Sequence, residues 1–144
     1  MVIQVLLVHS NTYNRTKLIE TLQSASDICI VAEACSGQEA LNLTRTTPPD
    51  VIVMELNLSN MDTIQTSQRI RAAYPQIKLL IQSESFNEDS FNTILQSGAQ
   101  GCLTPDCTTE ELANAIHTVL QDKPYFCTES QEMLIKKCLE STRP

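Results

Sequence analysis

The stretch Asp50-Val-Ile-Val-Met-Glu55 decides the fold of this chain, and the segment Leu56-Asn57-Leu58-Ser59-Asn60-Met61-Asp62 follows it. An uninterrupted apolar run that is rich in β-branched residues predicts a buried strand of a parallel sheet. This run ends in a carboxylate, and open α/β sheets bind their ligands just outside the carboxyl ends of their strands. Glu55 is therefore the first candidate functional residue.

Short apolar runs alternate with amphipathic stretches along the rest of the chain. The apolar runs cover residues 2–8, 28–34, 51–55, 77–82 and 101–103, and helix-like patterns cover residues 12–24, 36–45, 63–73, 88–97 and 108–120. The last helix-like pattern opens with Thr108-Thr-Glu-Glu111, which has the spacing of a capping box. Successive strand–helix units of this kind predict an α/β fold, in which a doubly wound parallel sheet carries helices on both faces.

A further helix is predicted after Pro124. Thr128-Glu-Ser-Gln131 repeats the capping-box spacing and opens an amphipathic segment to about residue 139, with Met133, Leu134 and Cys138 as its apolar side. This C-terminal helix is additional to the strand–helix units that precede it. We therefore divide the chain into a domain at residues 1–122 and a C-terminal linker or helix at residues 123–144.

The composition excludes several classes of function. The 144 residues carry a net charge of −7, and the ten Lys and Arg residues are spread along the chain, which argues against autonomous binding to nucleic acid. No apolar run reaches the length of a membrane span, and the N-terminus lacks the basic region of a signal peptide. Because neither a glycine-rich phosphate loop nor a nucleophile elbow is present, the sequence does not favour an enzyme.

The six cysteines indicate a reducing, cytoplasmic environment. They form no CxxC pair and no His-rich tract accompanies them, so neither zinc nor another cofactor is expected. Cys29, Cys35 and Cys102 are expected to act as small buried hydrophobes. Cys107 precedes a predicted helix N-terminus and is the candidate for a thiol-based sensor.

Several segments together resemble the receiver (CheY-like) domains of response regulators, and most closely those of the nitrate-response (NarL/FixJ) type. The matching segments are Val5-Leu-Leu-Val-His-Ser-Asn11, Ala32-Glu-Ala-Cys-Ser-Gly-Gln-Glu-Ala40, Asp50-Val-Ile-Val-Met-Glu55, Met61-Asp62, Gly98-Ala-Gln-Gly-Cys-Leu103 and Glu110-Glu-Leu112. The resemblance covers residues 2–121 and implies a flavodoxin-like sheet of five parallel strands in the order 2-1-3-4-5. It also implies a role in two-component signal transduction.

The resemblance indicates which residues of this chain occupy the positions that carry out phosphorylation in receivers. In that family a strand-end aspartate attacks a phosphoryl donor, and two acidic residues after the first strand help to hold Mg²⁺. The acceptor falls at Glu55, the acidic pair at His9 and Ser10, and a metal ligand that acts through its backbone carbonyl at Asn57. Because neither His9 nor Ser10 supplies an anionic oxygen, the metal site loses most of its charge.

Three further positions complete the site that the resemblance implies. The hydroxyl after the fourth strand falls at Ser83, the lysine after the fifth strand at Pro105, and the aromatic switch residue at Cys102. Proline has neither a charge nor a donor, so the hydroxyl alone keeps its residue type. Phosphoryl transfer depends on positioning and charge neutralisation. We therefore predict a degenerate receiver that holds no metal and whose Glu55 is not phosphorylated.

Two interpretations of Glu55 stay open. Its side chain extends negative charge toward Ser83, as a permanent mimic of the phosphorylated state would, or it is a partly solvated carboxylate without a switching role. His9 is predicted to lie beside Glu55. The pair either titrates near neutral pH or is simply hydrogen-bonded within the pocket.

Regulation of signalling or transcription through protein contacts is the main functional hypothesis. The resemblance implies that residues 88–121 contact a protein partner or a second copy in a homodimer, and that any DNA contact belongs to a separate domain outside this chain. One alternative is a phosphorylatable receiver with an unconventional site. The other is the thiol-based sensor at Cys107.

Overall fold

A computed structural model describes residues 2–56 and 63–141, which fold as one sheet covered by helices on both faces. The strands are β1 (Ile3–Val8), β2 (Ile28–Ala34), β3 (Val51–Glu55), β4 (Lys78–Gln82), β5 (Gly101–Leu103) and β6 (Tyr125–Phe126). The helices are α1 (Thr12–Leu22), α2 (Gly37–Thr46), α3 (Thr63–Ala73), α4 (Glu88–Ser97), α5 (Thr109–Leu120) and α6 (Thr128–Ser141). The flavodoxin-like α/β fold and the extra C-terminal helix are confirmed.

The predicted number of strands is wrong by one. Within the described residues the sheet has six parallel strands in the order β2-β1-β3-β4-β5-β6, so the predicted order 2-1-3-4-5 is confirmed and extended at one edge. The added strand is held by the backbone bonds Tyr125 N to Gln100 O at 3.0 Å and Cys127 N to Cys102 O at 3.3 Å. Two residues after a proline are too short a run to show any periodicity, which is why the sequence did not reveal it.

Gly101 allows the sixth strand to approach the fifth closely. A Cβ atom at this position would meet the backbone oxygen of Tyr125 and would lie 3.0 Å from the Leu80 Cδ2 atom. Glycine in a strand commonly marks such a close approach of two backbones. The pairing of β5 with β6 therefore requires a residue without a side chain at position 101.

The apolar core has two halves, one on each face of the sheet. Alternate residues of a strand point to opposite faces, so Val5 and Leu7 enter one half while Leu6 and Val8 enter the other. One half contains the buried residues of α1 and α5, namely Leu18, Leu22, Leu112, Ala115, Ile116 and Val119. The other contains Ala40, Ile70 and Ile94 from α2, α3 and α4. Burial on both faces explains why the strands read as continuous apolar runs.

Side-chain caps fix the starts of four helices. The capping box at Thr108 and Glu111 is complete, because each side chain accepts the backbone N–H of the other residue. Ser36 caps α2 by accepting the Glu39 N–H at 3.2 Å. Asn11 and Asn87 cap α1 and α4 in the same way. These caps orient the helices that follow the strand ends, where the candidate site lies.

Helix α6 packs against the sheet edge and α4. Lys137 Nζ donates to Glu88 Oε1 at 3.2 Å, and Ser130 is fully buried. Met133 and Leu134 are half-buried, but Cys138 is exposed, so the predicted apolar side of this helix is wrong at that residue. In the part of the chain that the structure describes, no helix combines the length and apolarity that a membrane span needs.

Candidate functional site

The carboxyl ends of β1, β3 and β4 meet at one edge of the sheet. Val8 pairs with Met54, and Glu55 pairs with Gln82, so the residues that end or follow these strands become neighbours. They line a small cleft of about 120 Å³ together with residues of the adjoining loops. Its lining comprises His9, Asn14, Glu55, Leu56, Gln82, Ser83, Glu84 and Pro105.

Both carboxylate oxygens of Glu55 are engaged by the end of the first strand. The backbone N–H of Ser10 donates to Oε1 at 2.5 Å, and the His9 Nδ1 atom lies 3.2 Å from Oε2. The Glu55 side chain is 14% exposed. The carboxylate is thus turned inward and bound within the chain, although one edge still reaches the cleft.

His9 lies in the centre of this arrangement and is 3% exposed. Its Nε2 atom lies 3.0 Å from Gln82 Oε1, and its backbone is fixed by bonds to Ala34 and Arg15. The contact from Nδ1 to Glu55 is close but falls outside the alignment of a hydrogen bond, so we treat it as an electrostatic contact. His9 therefore links the end of β3 to the end of β4.

Two proton arrangements fit the same heavy-atom positions at His9. With the Gln82 oxygen facing the ring, Nε2–H donates to it and the amide nitrogen of Gln82 stays without a partner. With the amide turned over, the Gln82 nitrogen donates to Nε2, and Nδ1 carries the proton that faces Glu55.

Ser83 and Pro105 lie in the same cleft, but their side chains do not contact Glu55. The Ser83 hydroxyl donates to the Ser85 backbone oxygen at 2.6 Å, and its own N–H donates to Leu103 O at 3.0 Å. The hydroxyl is therefore directed away from the acceptor position. Pro105 contributes an apolar wall to the cleft.

One predicted site residue lies outside the cleft. Cys102 is on β5, fully buried in the half of the core that contains α3 and α4, and does not line the cleft. Its predicted burial is confirmed, but the same prediction is wrong for Cys29 and Cys35, which are exposed because they lie on and just after the edge strand β2. Asn57 lies outside the described residues.

The sequence did not reveal four cleft residues: Gln82, Asn14, Leu56 and Glu84. Gln82 is a polar residue that follows three apolar residues at the end of β4, opposite Glu55 in the register, and this pattern was the available signal. The cleft lining contains no Lys or Arg among the residues described, whereas Lys17 lines the adjoining cleft of about 100 Å³. The described residues also contain no cluster of three His, Cys, Asp or Glu side chains that could hold a metal ion.

The thiol at Cys107 lacks the properties of a reactive thiolate. Burial, together with the carboxylates of Glu111 and Asp106, raises the pKa of Cys107 to about 11. The interaction between the Cys102 and Cys127 thiols lowers the pKa of Cys127 to about 6 and raises that of Cys102. Both of these thiols are buried, and Cys127 Sγ donates to the Ser130 hydroxyl at 3.6 Å. Reactive cysteines need a thiolate that solvent can reach, and no thiol of these three combines both properties.

Known proteins resemble this chain across most of its length. The family model described as response regulator receiver domain matches residues 5–117. The nitrate/nitrite response regulator protein NarL of Escherichia coli K12 is 30% identical over 113 residues, which are 78% of this chain and 52% of NarL. The response regulator GacA of Pseudomonas aeruginosa is 27% identical over 139 residues, 96% of this chain and 64% of GacA. The chain thus spans about half to two thirds of the length of these relatives.

Solved structures agree with the fold. A two-component response regulator of the LuxR family from Aurantimonas superposes with a TM-score of 0.87 at 23% identity, over 96% of this chain and 99% of that one. The receiver domain of RcsB from Salmonella enterica, solved with the phosphomimetic BeF3−, gives a TM-score of 0.82 at 12% identity, over 92% of this chain and 98% of that domain. The strand order, the strand-end cleft and the match to the family model lead to one conclusion: this chain belongs to the response regulator receiver domain family of two-component signalling.

Proposed function

We propose that this receiver acts as a phosphorylation-independent module that regulates signalling or transcription through protein contacts. The observation that carries the proposal is the internal binding of the Glu55 carboxylate by Ser10 N–H and His9. Donation of a hydrogen bond to one carboxylate oxygen and the contact of the imidazole with the other draw electron density from the group and reduce its strength as a nucleophile. Nucleophiles in enzymes are normally activated rather than restrained by their neighbours.

The donor set of the cleft does not fit Mg²⁺. This cation prefers near-octahedral oxygen ligands and is usually bound through one or two carboxylates. The positions after the first strand are an imidazole and a hydroxyl residue, and the Glu55 oxygens are already engaged within the chain. Glu84 is the other carboxylate that lines the cleft, and it is exposed.

The cleft also lacks the positive charge that a phosphoryl group needs. Transfer of a phosphoryl group depends on neutralising the charge that spreads over its oxygens. Pro105 stands where the family has a lysine, and His9 is already committed to Glu55 and Gln82. A phosphoryl group on Glu55 would therefore face Glu84 and a proline rather than a metal ion and a lysine.

The position of Ser83 does not favour the interpretation of Glu55 as a permanent phosphomimic. In that interpretation the carboxylate would engage the hydroxyl, yet the hydroxyl donates to Ser85 O instead. We therefore propose that Glu55 has a structural role. Its carboxylate joins the first and third strand ends through Ser10 and His9, which stabilises one arrangement of the loops around the cleft.

Partners of the module would bind outside the cleft. We propose that residues 88–121 contact a protein partner or a second copy of the chain through the exposed sides of α4 and α5, since β5 is buried between β4 and β6. Leu95 of α4 is 45% exposed on this side. A structure of the RcsB response regulator from Salmonella typhimurium is described in terms of DNA interaction. Because the present chain is strongly negative, we propose that any DNA contact belongs to a further domain.

An amide NMR titration of the protein tests the proposal. Mg²⁺ is added first and beryllofluoride second, and the amides of Ser10, Ser83 and Cys102 are followed. We expect no saturable shifts at these three amides. Saturable shifts that spread from the cleft toward β5 would show that the pocket binds phosphoryl-like ligands, and the proposal would fail. A conventional phosphorylatable receiver, titrated in parallel, is the positive control.

A further inference from the structure

Helix α6 has apolar side chains on two opposite sides. One side packs on the rest of the molecule and includes the half-buried Leu134 beside the buried Ser130. On the other side lie Ile135 and Leu139, four residues apart, with 60% and 62% of their surface exposed. Residues at this spacing form a continuous stripe along a helix. Contiguous exposed apolar surface with polar residues around it is a common mark of a protein-binding site.

A groove of about 760 Å³ runs beside this stripe. Its apolar lining comes from Phe86, in the loop before α4, and from Met133, Ile135 and Leu139 of α6. The ion pair between Lys137 and Glu88 fixes α6 against α4. The groove is therefore largely formed before any partner arrives, which reduces the entropy cost of binding.

The charged residues along the groove are mostly acidic. Glu129, Glu132 and Glu140 line it, against the single basic residue Lys136 in that lining. We call these three glutamates the glutamate rim of the groove. If two copies of the chain met groove to groove, their rims would repel each other, so the charge distribution disfavours a second copy as the occupant. The same negative rim disfavours nucleic acid and anionic lipid surfaces. A partner segment that carries Lys or Arg on both sides of its apolar residues would complement the charge of the groove.

We propose that the groove along α6 docks an amphipathic helix of a partner protein, with an aliphatic stripe against Ile135 and Leu139 and with Lys or Arg side chains against the glutamate rim. Helices that bind in grooves place apolar anchors at positions i, i+3, i+4 and i+7. Two exposed aliphatic residues one turn apart match that spacing. The proposal deepens the proposed function, on which it rests for the premise that the module works through a protein partner.

Fluorescence anisotropy with synthetic peptides tests this assignment. The probe is a labelled helical peptide with leucines at positions i, i+3, i+4 and i+7 and flanking lysines. The matched control peptide has glutamates in place of the lysines. We expect saturable binding of the basic peptide, and affinity at least about tenfold weaker for the acidic peptide and for the Ile135→Ser/Leu139→Ser double variant.

Two further variants make the test specific. The Glu129→Lys/Glu132→Lys variant should bind the basic peptide more weakly and the acidic peptide more tightly, because the charge along the groove becomes positive. Val2→Ser removes an apolar side chain that is 55% exposed far from the groove in sequence, and it should leave the affinity unchanged. Circular dichroism and amide NMR spectra establish that each variant is folded.

Three outcomes would overturn the assignment. The first is equal affinity of the basic peptide for the wild type and for the Ile135→Ser/Leu139→Ser variant. The second is equal affinity for the basic and acidic peptides. The third is concentration-dependent dimerisation that the double variant abolishes, which would make a second copy the occupant. None of these outcomes depends on phosphorylation, so failure here is distinguishable from failure of the Mg²⁺ and beryllofluoride titration.

Discussion

The imidazole of His9 lies against the carboxylate of Glu55, with Nδ1 3.2 Å from Oε2, at the ends of two paired parallel strands. The other ring nitrogen of His9 lies 3.0 Å from Gln82 at the end of the next strand. The side chain thus occupies the position where the resemblance places an acidic metal ligand.

Replacing His9 by alanine should destabilise the protein. The change removes a buried ring, leaves Glu55 with one of its two partners and leaves Gln82 without its neighbour. We expect the free energy of unfolding to fall by roughly 1–3 kcal/mol, the usual result of leaving buried polar groups unpaired. Urea unfolding followed by circular dichroism measures the change.

Ser10→Ala is the matched control for that experiment. Ser10 binds Glu55 through its backbone N–H, which alanine keeps, so the free energy of unfolding should change by less than about 0.5 kcal/mol. Equal losses of stability in His9→Ala and Ser10→Ala would contradict the view that the His9 ring bridges the strand ends.

Glu55→Asp should not restore phosphorylation. The shorter side chain withdraws the carboxylate by about 1.5 Å and weakens its bond to Ser10 N–H, but it adds neither a metal ligand nor a cation. Incubation with acetyl phosphate and Mg²⁺, followed by intact-mass measurement, should show no added phosphoryl group. The unfolding free energy should fall by about 1 kcal/mol as the hydrogen bond is lost.

A variant with four substitutions is the positive comparison for Glu55→Asp. His9→Asp, Ser10→Asp, Glu55→Asp and Pro105→Lys together rebuild the acidic pair, the acceptor and the lysine that the resemblance assigns to these positions. We expect Mg²⁺-dependent labelling of this variant alone. Labelling of Glu55→Asp at a similar level would mean that His9, Ser10 and Pro105 do not limit the chemistry.

Gly101→Ala tests the sixth strand. The added Cβ would meet the Tyr125 backbone oxygen and crowd Leu80, so β6 has to move away from β5. We expect a loss of roughly 1–3 kcal/mol in the free energy of unfolding, as for other overpacked sites. The Tyr125 and Cys127 amides, which bond to Gln100 and Cys102, should lose protection from hydrogen exchange. Unchanged protection at these two amides would contradict the close approach of the strands.

The sequence was sufficient to predict most of the sheet. The predicted boundaries of the second, third and fifth strands agree with β2, β3 and β5. The runs of β3 and β5 are almost wholly buried, whereas β2 lies at the sheet edge and is only partly buried. The β6 strand was missed because its backbone bonds, rather than any apolar pattern, define it. The position of His9 beside Glu55 was also predictable, since neighbouring parallel strands end at the same edge of the sheet.

The details of the cleft depend on geometry that residue types do not encode. Ser10 acts through its backbone N–H, so its hydroxyl gave no indication of that role. Ser83 was expected near the carboxylate, yet its side chain turns to Ser85 O, a choice set by the local loop. Gln82 could have been noticed as a polar strand end, but nothing in the sequence fixed it beside His9.

The packing of α6 should weaken in acid. The hydrogen bond from Lys137 and the positive charges of Lys137 and Lys136 hold the pKa of Glu88 below its ordinary value of 4.5. A carboxyl group whose pKa is lowered in the folded state contributes its stabilisation fully above the unfolded pKa, and loses it as the pH falls through the lower folded value. The contact between α4 and α6 should therefore loosen below about pH 4.5.

Amide NMR spectra of α6, recorded from about pH 6 to about pH 3, measure this loosening. Lys137 and Ser130 report on the packed side of the helix, and their shifts should follow the titration of Glu88. The matched control is Glu88→Gln, which keeps a hydrogen-bond acceptor but cannot titrate, so its α6 amides should show no transition in this range. The ion pair is exposed, and we therefore expect the wild-type transition to shrink at high salt. A transition of equal size in Glu88→Gln would assign the acid response to another group.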